Sequence, residues 1–280
     1  MIKVDDMIRS CDLHIHSTAS DGQYSPSELV ALAKDRGVEV LALTDHDTMD
    51  GVAEAQMAEK KLGVRVIPGI ELSAKEYHTF HILGYAFDPT DSAMAALIAR
   101  MKQGRNDRNQ LITEYLSEYG MPVELDEVLR LAGDGVPGRP HFAQAMVNRG
   151  YVVSVREAFD KWLDTGELHE RIDKGKPSAR ECVETIKAPG GKASLAHPYQ
   201  IGVDDEALDA IVRELLSYGL DAIECYYPKF TPEQQAYYLK LAEKYRLHVT
   251  GGSDFHGERV KPDIELAALP LDVEWLLHET

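Results

Sequence analysis

The residues with the clearest chemical potential are histidines. His14 and His16 stand at i, i+2 in Asp12-Leu13-His14-Ile15-His16, and on an extended strand that spacing turns both rings to one face. Two imidazoles on one face invite a divalent metal. Asp21 follows in Ser20-Asp21-Gly22, His46 stands between two aspartates in Thr44-Asp45-His46-Asp47, Glu71 closes Pro68-Gly69-Ile70-Glu71, and His81 opens His81-Ile82-Leu83-Gly84-Tyr85. Far along the chain come Ala196-His197-Pro198 and Gly252-Ser253-Asp254-Phe255-His256, where the i, i+2 spacing recurs. A lone His-x-His on a strand is commonly incidental; the joint pattern carries the argument. Six of the 11 histidines plus three carboxylates exceed the ligands of any one ion, since zinc-like sites take about four protein ligands and octahedral ones six. Two or three divalent ions are implied. Nitrogen and oxygen donors without thiolate suit Mn, Fe or Zn better than Cu(I) or Ca. The donor types do not choose among the three; manganese is the ion expected, with iron and zinc as alternatives. Asp45 is expected to orient an imidazole from behind, Asp47 is given no role, and His78, His169, His248 and His278 are read as surface or packing residues.

These residues matter only if the fold gathers them. Short apolar runs alternate with helical patterns over the first 87 residues, as in α/β units with a mainly parallel sheet. Strands are expected at 9–15, 38–44, 64–71 and 79–85, and after a long helical stretch again at 192–196, 221–225, 248–253 and 264–269. Capping boxes at Ser25-Pro26-Ser27-Glu28 and Thr231-Pro232-Glu233-Gln234 open two of the helices. Residues 91–119 read as a helix, followed by shorter helices at 124–131, 141–148, 155–163 and 178–187. The pattern is a distorted α/β barrel of about seven strands, formed by residues 1–88 and 190–280 and interrupted by a helical insertion at 89–189. All nine candidate ligands then lie at or near strand ends, where the loops of such a barrel build a common mouth.

Composition narrows the partners. The chain carries 30 Lys and Arg against 47 Asp and Glu, a formal charge of -17, which repels long nucleic acid and anionic lipid alike. Cys11, Cys182 and Cys225 are too few and too far apart for a disulfide framework and read as small buried apolar residues. With no signal-like segment and no apolar run long enough to span a bilayer, a cytoplasmic location is expected.

Taken in order, Asp12 to Ser17 (DLHIHS), Ser20 to Gly22, Thr44 to Asp47, Gly69 to Glu71, His81 to Tyr85, Ala196 to Pro198 and Gly252 to His256 closely resemble the PHP (polymerase and histidinol phosphatase) family. The resemblance covers nearly the whole chain outside the insertion. It implies a distorted seven-stranded β/α barrel with a trinuclear metal centre and phosphoesterase chemistry. By position, His14, His16, Glu71 and Asp254 would hold one metal; Glu71 would bridge to a second with His81 and His197; Asp21, His46 and His256 would hold the third. Asp21 stands where some members of the family have histidine.

The insertion between His81 to Tyr85 and Ala196 to Pro198 is similar to that of members hydrolysing nucleoside 3',5'-bisphosphates, some of which also trim short RNA from the 5' end. Arg105 and Arg108 lie i, i+3 on one helical face, near enough to share an anion, and Gly138-Arg139-Pro140-His141 sets an Arg and a His at a helix start with backbone donors for a phosphate. Lys229 is a lesser candidate. The expected reaction removes the 3'-phosphate of a nucleoside 3',5'-bisphosphate such as adenosine 3',5'-bisphosphate, giving AMP and phosphate without a protein nucleophile. His197, His256 or a metal-bound water would protonate the leaving group, and the sequence does not choose among them. The alternatives are a 5'-3' exoribonuclease on short RNA, a histidinol phosphatase, and a metal-dependent binding module without turnover.

Overall fold

The computed structural model describes residues 8–77, 79–133, 137–172 and 176–277, with only the backbone at Arg105. His78, His278 and the turn residues 173–175 lie outside the described residues. Two compact units form, one from residues 1–97 with 177–280 and one from residues 98–176. No helix among the described residues is long and apolar enough to cross a membrane.

The first unit is built on one eight-stranded mixed sheet. Its strands are β1 (Ile8–Ile15), β2 (Val40–Leu43), β3 (Arg65–Ser73), β4 (His81–Tyr85), β5 (Lys192–Leu195), β6 (Ala222–Tyr226), β7 (His248–Gly251) and β8 (Leu269–Asp272). They lie in the order β7-β6-β5-β4-β3-β2-β1-β8. Past β7, Asp254 N–H donates to the His14 carbonyl (2.7 Å) and His16 N–H to the Phe255 carbonyl (2.9 Å), so the sheet curls back on β1 into a nearly closed barrel. The expected parallel pairing holds for β1–β2–β3 and β5–β6–β7, whereas β4 runs antiparallel to both neighbours. Residues 74–80 are too short a link for the crossover that a parallel neighbour requires.

Alternation along β2 shows how the strands are held. Leu41 and Leu43 pack with Leu29, Val30 and Ala55 of the covering helices, while Val40 and Ala42 face Cys11, Leu13, Leu83 and Tyr85 on the other side. The strand is thus apolar on both faces, as its run of apolar residues demands. Those helices, α1 (Pro26–Asp35) and α2 (Val52–Leu62), begin and end on readable signals: the Ser25–Glu28 capping box is formed, and Gly63 closes α2 in the left-handed region at φ 78°. Between β5 and β7 lie α9 (Asp205–Tyr218) and α10 (Pro232–Tyr245), the latter opened by the Thr231–Gln234 capping box.

The final strand differs from expectation. Ile264 and Leu266 are buried by packing near Leu41 rather than by strand pairing, and the ladder to β1 is made by β8, in which Ser10 pairs with Pro270. A proline is tolerated there because β8 ends the sheet order and needs no donor on its outer side. A short α11 (Glu274–Leu277) follows.

In the second unit, α3 (Ser92–Glu118) begins before the boundary at Ile98 and is followed by α4 (Leu125–Ala132), α5 (Arg139–Asn148), α6 (Val155–Ala158), a π-helical turn (Phe159–Leu163) and α7 (Gly166–Ile172). Ile112, Tyr115, Leu116, Phe142, Met146 and Leu168 form its own core. Next in sequence, α8 (Ala179–Lys187) belongs to the barrel unit, where Lys187 pairs with Asp221 at 2.7 Å.

One close approach is indispensable to the mouth. A Cβ added at Gly252 would sit 2.4 Å from the His14 Cβ and 2.5 Å from its backbone nitrogen. Gly252→Ala must push β1 and the segment after β7 apart, and should destabilise the protein by ~3 kcal/mol in denaturant unfolding. An unchanged unfolding midpoint would show that the two segments are not so tightly joined.

Candidate metal centre

Nine side chains from seven chain segments converge at one end of the barrel. His14 is the last but one residue of β1, His16 and Asp21 follow that strand, His46 follows β2, and Glu71 lies within β3. His81 opens β4, a consequence of its reversed direction, while His197 follows β5 and Asp254 and His256 follow β7. His14 and His16 do share a face, with ring centroids 5.3 Å apart.

Among the described residues, four sets have ligand atoms within 4.8 Å of one another: His16, Asp21, His46 and His256; His14, Glu71 and His197; His14, His16 and Asp254; and His46, Glu71 and His81. Glu71 is their hub. Its Oε2 lies 3.3 Å from His14 Nε2, 3.2 Å from His16 Nε2 and 3.0 Å from His46 Nδ1. Its Oε1 lies 2.7 Å from His81 Nδ1 and 2.9 Å from His197 Nε2. Asp254 Oδ1 adds an approach of 3.3 Å to His16 Nε2. At the more open side, Asp21 Oδ1 stands 3.4 Å from His256 Nε2, with the Asp21 side chain 39% exposed.

Whether divalent ions fit can be judged from the atoms themselves. His14 Nε2, both nitrogens of His16, His46 Nδ1, Glu71 Oε2 and His197 Nδ1 are buried yet have no hydrogen-bond partner. A buried polar atom left so costs about 1–3 kcal/mol. Several of these atoms nevertheless approach one another to about 3 Å, close without hydrogen-bond geometry, as ligand atoms around a shared cation do. The donor set of imidazole and carboxylate suits such ions.

The charges agree. Burial alone would raise the Glu71 carboxyl, but His46, His81 and His14 around it hold it well below the usual carboxylate range. Burial likewise opposes charge on His14, and Glu71, Glu224 and Asp254 reverse this and lift it well above an ordinary imidazole. Against the same penalty, Glu71 and Asp21 raise His46 to about 9. For His81 burial prevails, lowering it to about 4.

Backbone strain collects at the same place. His197 (φ 23°), Asp254 (φ 56°) and Asp47 (φ 53°) all have positive φ without being glycine, and each such residue costs about 1–3 kcal/mol. Surrounding hydrogen bonds fix them. Asp12, fully buried, accepts from Ser253 N–H (2.9 Å), Ser253 Oγ (2.6 Å) and Ala267 N–H (2.8 Å), which locks the segment carrying Asp254. Asp45 does not serve an imidazole as expected: its carboxylate accepts from Ser17 N–H and Oγ (both 2.7 Å) and Ser20 Oγ (2.6 Å), bracing the loop that carries Asp21. Asp47, given no role by the sequence, accepts from Ser73 N–H at 2.9 Å and ties the end of β2 to β3.

Three participants escaped the sequence reading. Glu224, fully buried on β6, lies 3.1 Å from His14 Nδ1; its signal was an acid in the otherwise apolar run Ala222-Ile223-Glu224-Cys225. Tyr227 Oη donates to Asp254 Oδ2 at 2.7 Å and Lys261 Nζ at 2.6 Å, so the aspartate turns its other oxygen to the imidazoles. Nothing in their local sequence marks these two.

The remaining candidates lie in the helical unit. Arg139 donates to Asp164 Oδ1 (3.2 Å) and the Leu163 carbonyl (3.3 Å), and His141 Nδ1 accepts from Gly138 N–H at 3.1 Å, capping α5. A Cβ at Gly138 would come within 3.8 Å of Arg108 Nη2, which places that guanidinium beside the turn. The side chain of Arg105 lies outside the described residues. Of the histidines read as surface or packing residues, His169 pairs with Asp164 at 3.0 Å and His248 stacks on Trp275 with centroids 4.2 Å apart. The three cysteines are free and buried.

Residues 12–167 match the PHP domain family, and the chain belongs to it. It is a metal-dependent phosphoesterase. It is 36% identical over 251 residues to a 5'-3' exoribonuclease of Haemophilus influenzae, covering 89% of this chain and 91% of that one. It is 31% identical over 247 residues to a 3',5'-nucleoside bisphosphate phosphatase of Chromobacterium violaceum, covering 88% and 86%. Among solved structures it is similar to a Bifidobacterium adolescentis protein named as a metal-dependent phosphoesterase, with TM-score 0.78, 30% identity and 96% of each chain covered.

A proton count tests the ligand set. A His46 pKa near 9 means the ring is protonated at pH 7 in metal-free protein, whereas a metal needs the neutral lone pair. Adding Mn(II) in weak buffer at pH 7 should therefore release about one proton or more per chain, and apparent affinity should rise with pH towards 9. Binding without proton release would count against His46 as a ligand.

Proposed function

We propose that the chain hydrolyses the 3'-phosphate of nucleoside 3',5'-bisphosphates to the nucleoside 5'-monophosphate and phosphate. The observation that carries this reading is the buried hub at Glu71, whose two oxygens face two different groups of imidazoles. In it, His14, His16, Glu71 and Asp254 would hold one ion, Glu71 with His81 and His197 would hold a second, and Asp21, His46 and His256 would hold a third, with manganese the expected metal. Ions held there supply an activated water at neutral pH and positive charge for the phosphoryl oxygens as the ester bond breaks.

The chain's own residues do the rest. Glu71 and the strained His197 and Asp254 fix ligand positions before substrate arrives, so little reorganisation accompanies the reaction. Burial of His14 and His16 excludes water from the rear of the site. His197 and His256 are the imidazoles assigned to the leaving-group proton. His256 keeps Nδ1 against the Asp254 carbonyl at 2.9 Å, so Nε2, beside the exposed Asp21, is its ligand atom, and the ring could pass a proton through Nε2 only while no ion occupies it.

The name of the Haemophilus influenzae relative favours a second reading, 5'-3' exoribonuclease activity on short RNA. The two are chemically continuous. Releasing a nucleoside 5'-monophosphate from the 5' end of RNA breaks the bond between the 3' oxygen and phosphorus, the bond broken in a 3',5'-bisphosphate. A bisphosphate is the RNA substrate cut short after its first scissile phosphate.

The Mn-loaded protein should release phosphate and AMP from adenosine 3',5'-bisphosphate, and 5'-monophosphates from short 5'-phosphorylated RNA if the second activity is present. AMP and histidinol phosphate should remain intact. Preference for histidinol phosphate would overturn the assignment, and inertness towards all four compounds would point to a binding module. His14→Ala should abolish turnover while leaving the far-ultraviolet circular dichroism unchanged; retained activity in metal-replete buffer would remove the proposed centre.

A further inference from the structure

Glu224 is a carboxylate at the rear of the site that belongs to none of the four ligand sets. It has no solvent exposure. Both of its oxygens are engaged: Oε1 lies 3.1 Å from His14 Nδ1, and Oε2 accepts the His197 backbone N–H at 2.7 Å. A carboxylate here only accepts, so the proton of the His14 ring stands on Nδ1. In the neutral ring that ligation requires, this leaves Nε2 with the lone pair, and Nε2 is the buried, unpartnered atom that faces Glu71 Oε2 at 3.3 Å.

We propose that Glu224 is the positioning residue of the metal centre. It fixes the His14 tautomer so that Nε2 is the ligand atom, and with its second oxygen holds the His197 backbone in the strained conformation that brings that ring to Glu71. The inference rests on the reading of His14 and His197 as ligands. One carboxylate thereby couples ligands of two strands, β1 and β5, from a third, β6. The backbone partner makes the requirement unusually strict. The His197 N–H is a donor in every protonation state, so one face of residue 224 must accept. A glutamine would have to give its single carbonyl oxygen to His197 and turn its amide NH2 towards His14 Nδ1. The ring could then meet that donor only with the Nδ1 lone pair, sending its proton to Nε2, where it blocks ligation. Glu224→Gln is nearly isosteric, yet it should place the proton on the wrong nitrogen.

The test compares wild type, Glu224→Gln and His14→Ala, using Zn(II) as the probe ion in competition with a chelator. Glu224→Gln should lose about 10- to 100-fold in affinity for at least one ion, while metal-free protein melts close to wild type. Histidine-selective 15N spectra of Zn-loaded wild type should show the His14 proton on Nδ1; this measurement decides the matter even if the variant does not fold. Wild-type affinity in Glu224→Gln, or an unprotonated Nδ1 in wild type, overturns the inference. His14→Ala separates the two levels. If it loses an ion and Glu224→Gln does not, only the role of Glu224 falls; if it binds like wild type, the ligand reading fails and the inference with it.

Discussion

A carboxylate without access to water must find positive charge or hydrogen-bond donors around it, and for Glu71 in this barrel the neighbours are imidazoles. Five imidazoles lie within 3.3 Å of its two oxygens, drawn from β1 and the segment after it, the segment after β2, β4 and the segment after β5. An ionised group removed from water costs several kcal/mol unless it is compensated. The imidazoles offer that compensation in two forms, as protonated rings or as neutral ligands of divalent cations, and the same geometry suits both.

Meeting this constraint shapes the rest of the mouth. Two of the side chains that converge here, His197 and Asp254, sit in strained backbone, and each strained segment is held by a buried carboxylate, Glu224 for the first and Asp12 for the second. Asp45 and Asp47 play the same part for the loops after β1 and β2. A second ring of acids therefore surrounds the first, directed at backbone N–H groups and hydroxyls. The glycine before Ser253 is its steric counterpart, admitting the His14 backbone where a side chain would not fit. The chain's -17 charge is compatible with a phosphate substrate for this reason. Much of the acid near the mouth is spent on imidazoles and backbone donors, and an ion-filled centre is locally cationic.

Most of the fold was legible because its signals are local. The capping boxes at Ser25 and Thr231, the glycine stop at Gly63 and the doubly apolar β2 each depend on a few adjacent residues. What misled was equally physical. Ile264 and Leu266 have the alternation of a strand but bury their side chains by packing alone, while the real ladder lies at β8 around Pro270, a residue that argues against a strand except at an edge. The direction of β4 was invisible to periodicity, which is the same in both senses, and followed only from the short link before it.

The sequence by itself picked out the nine imidazole and carboxylate side chains that the fold brings together, from their type, spacing and placement at strand ends. The division into three sets with Glu71 as a bridge was implied by the family resemblance; which atoms lie within 4.8 Å of one another, and the supports behind them, were decided by tertiary structure. Glu224 lies 210 positions from His14 and Lys261 belongs to a loop with no metal motif of its own. No local pattern predicts such partners, because a buried hydrogen bond depends on which strands become neighbours when the barrel closes. Asp45 makes the same point in reverse: adjacent to His46 in sequence, it turns away to Ser17 and Ser20, partners supplied by the segment after β1.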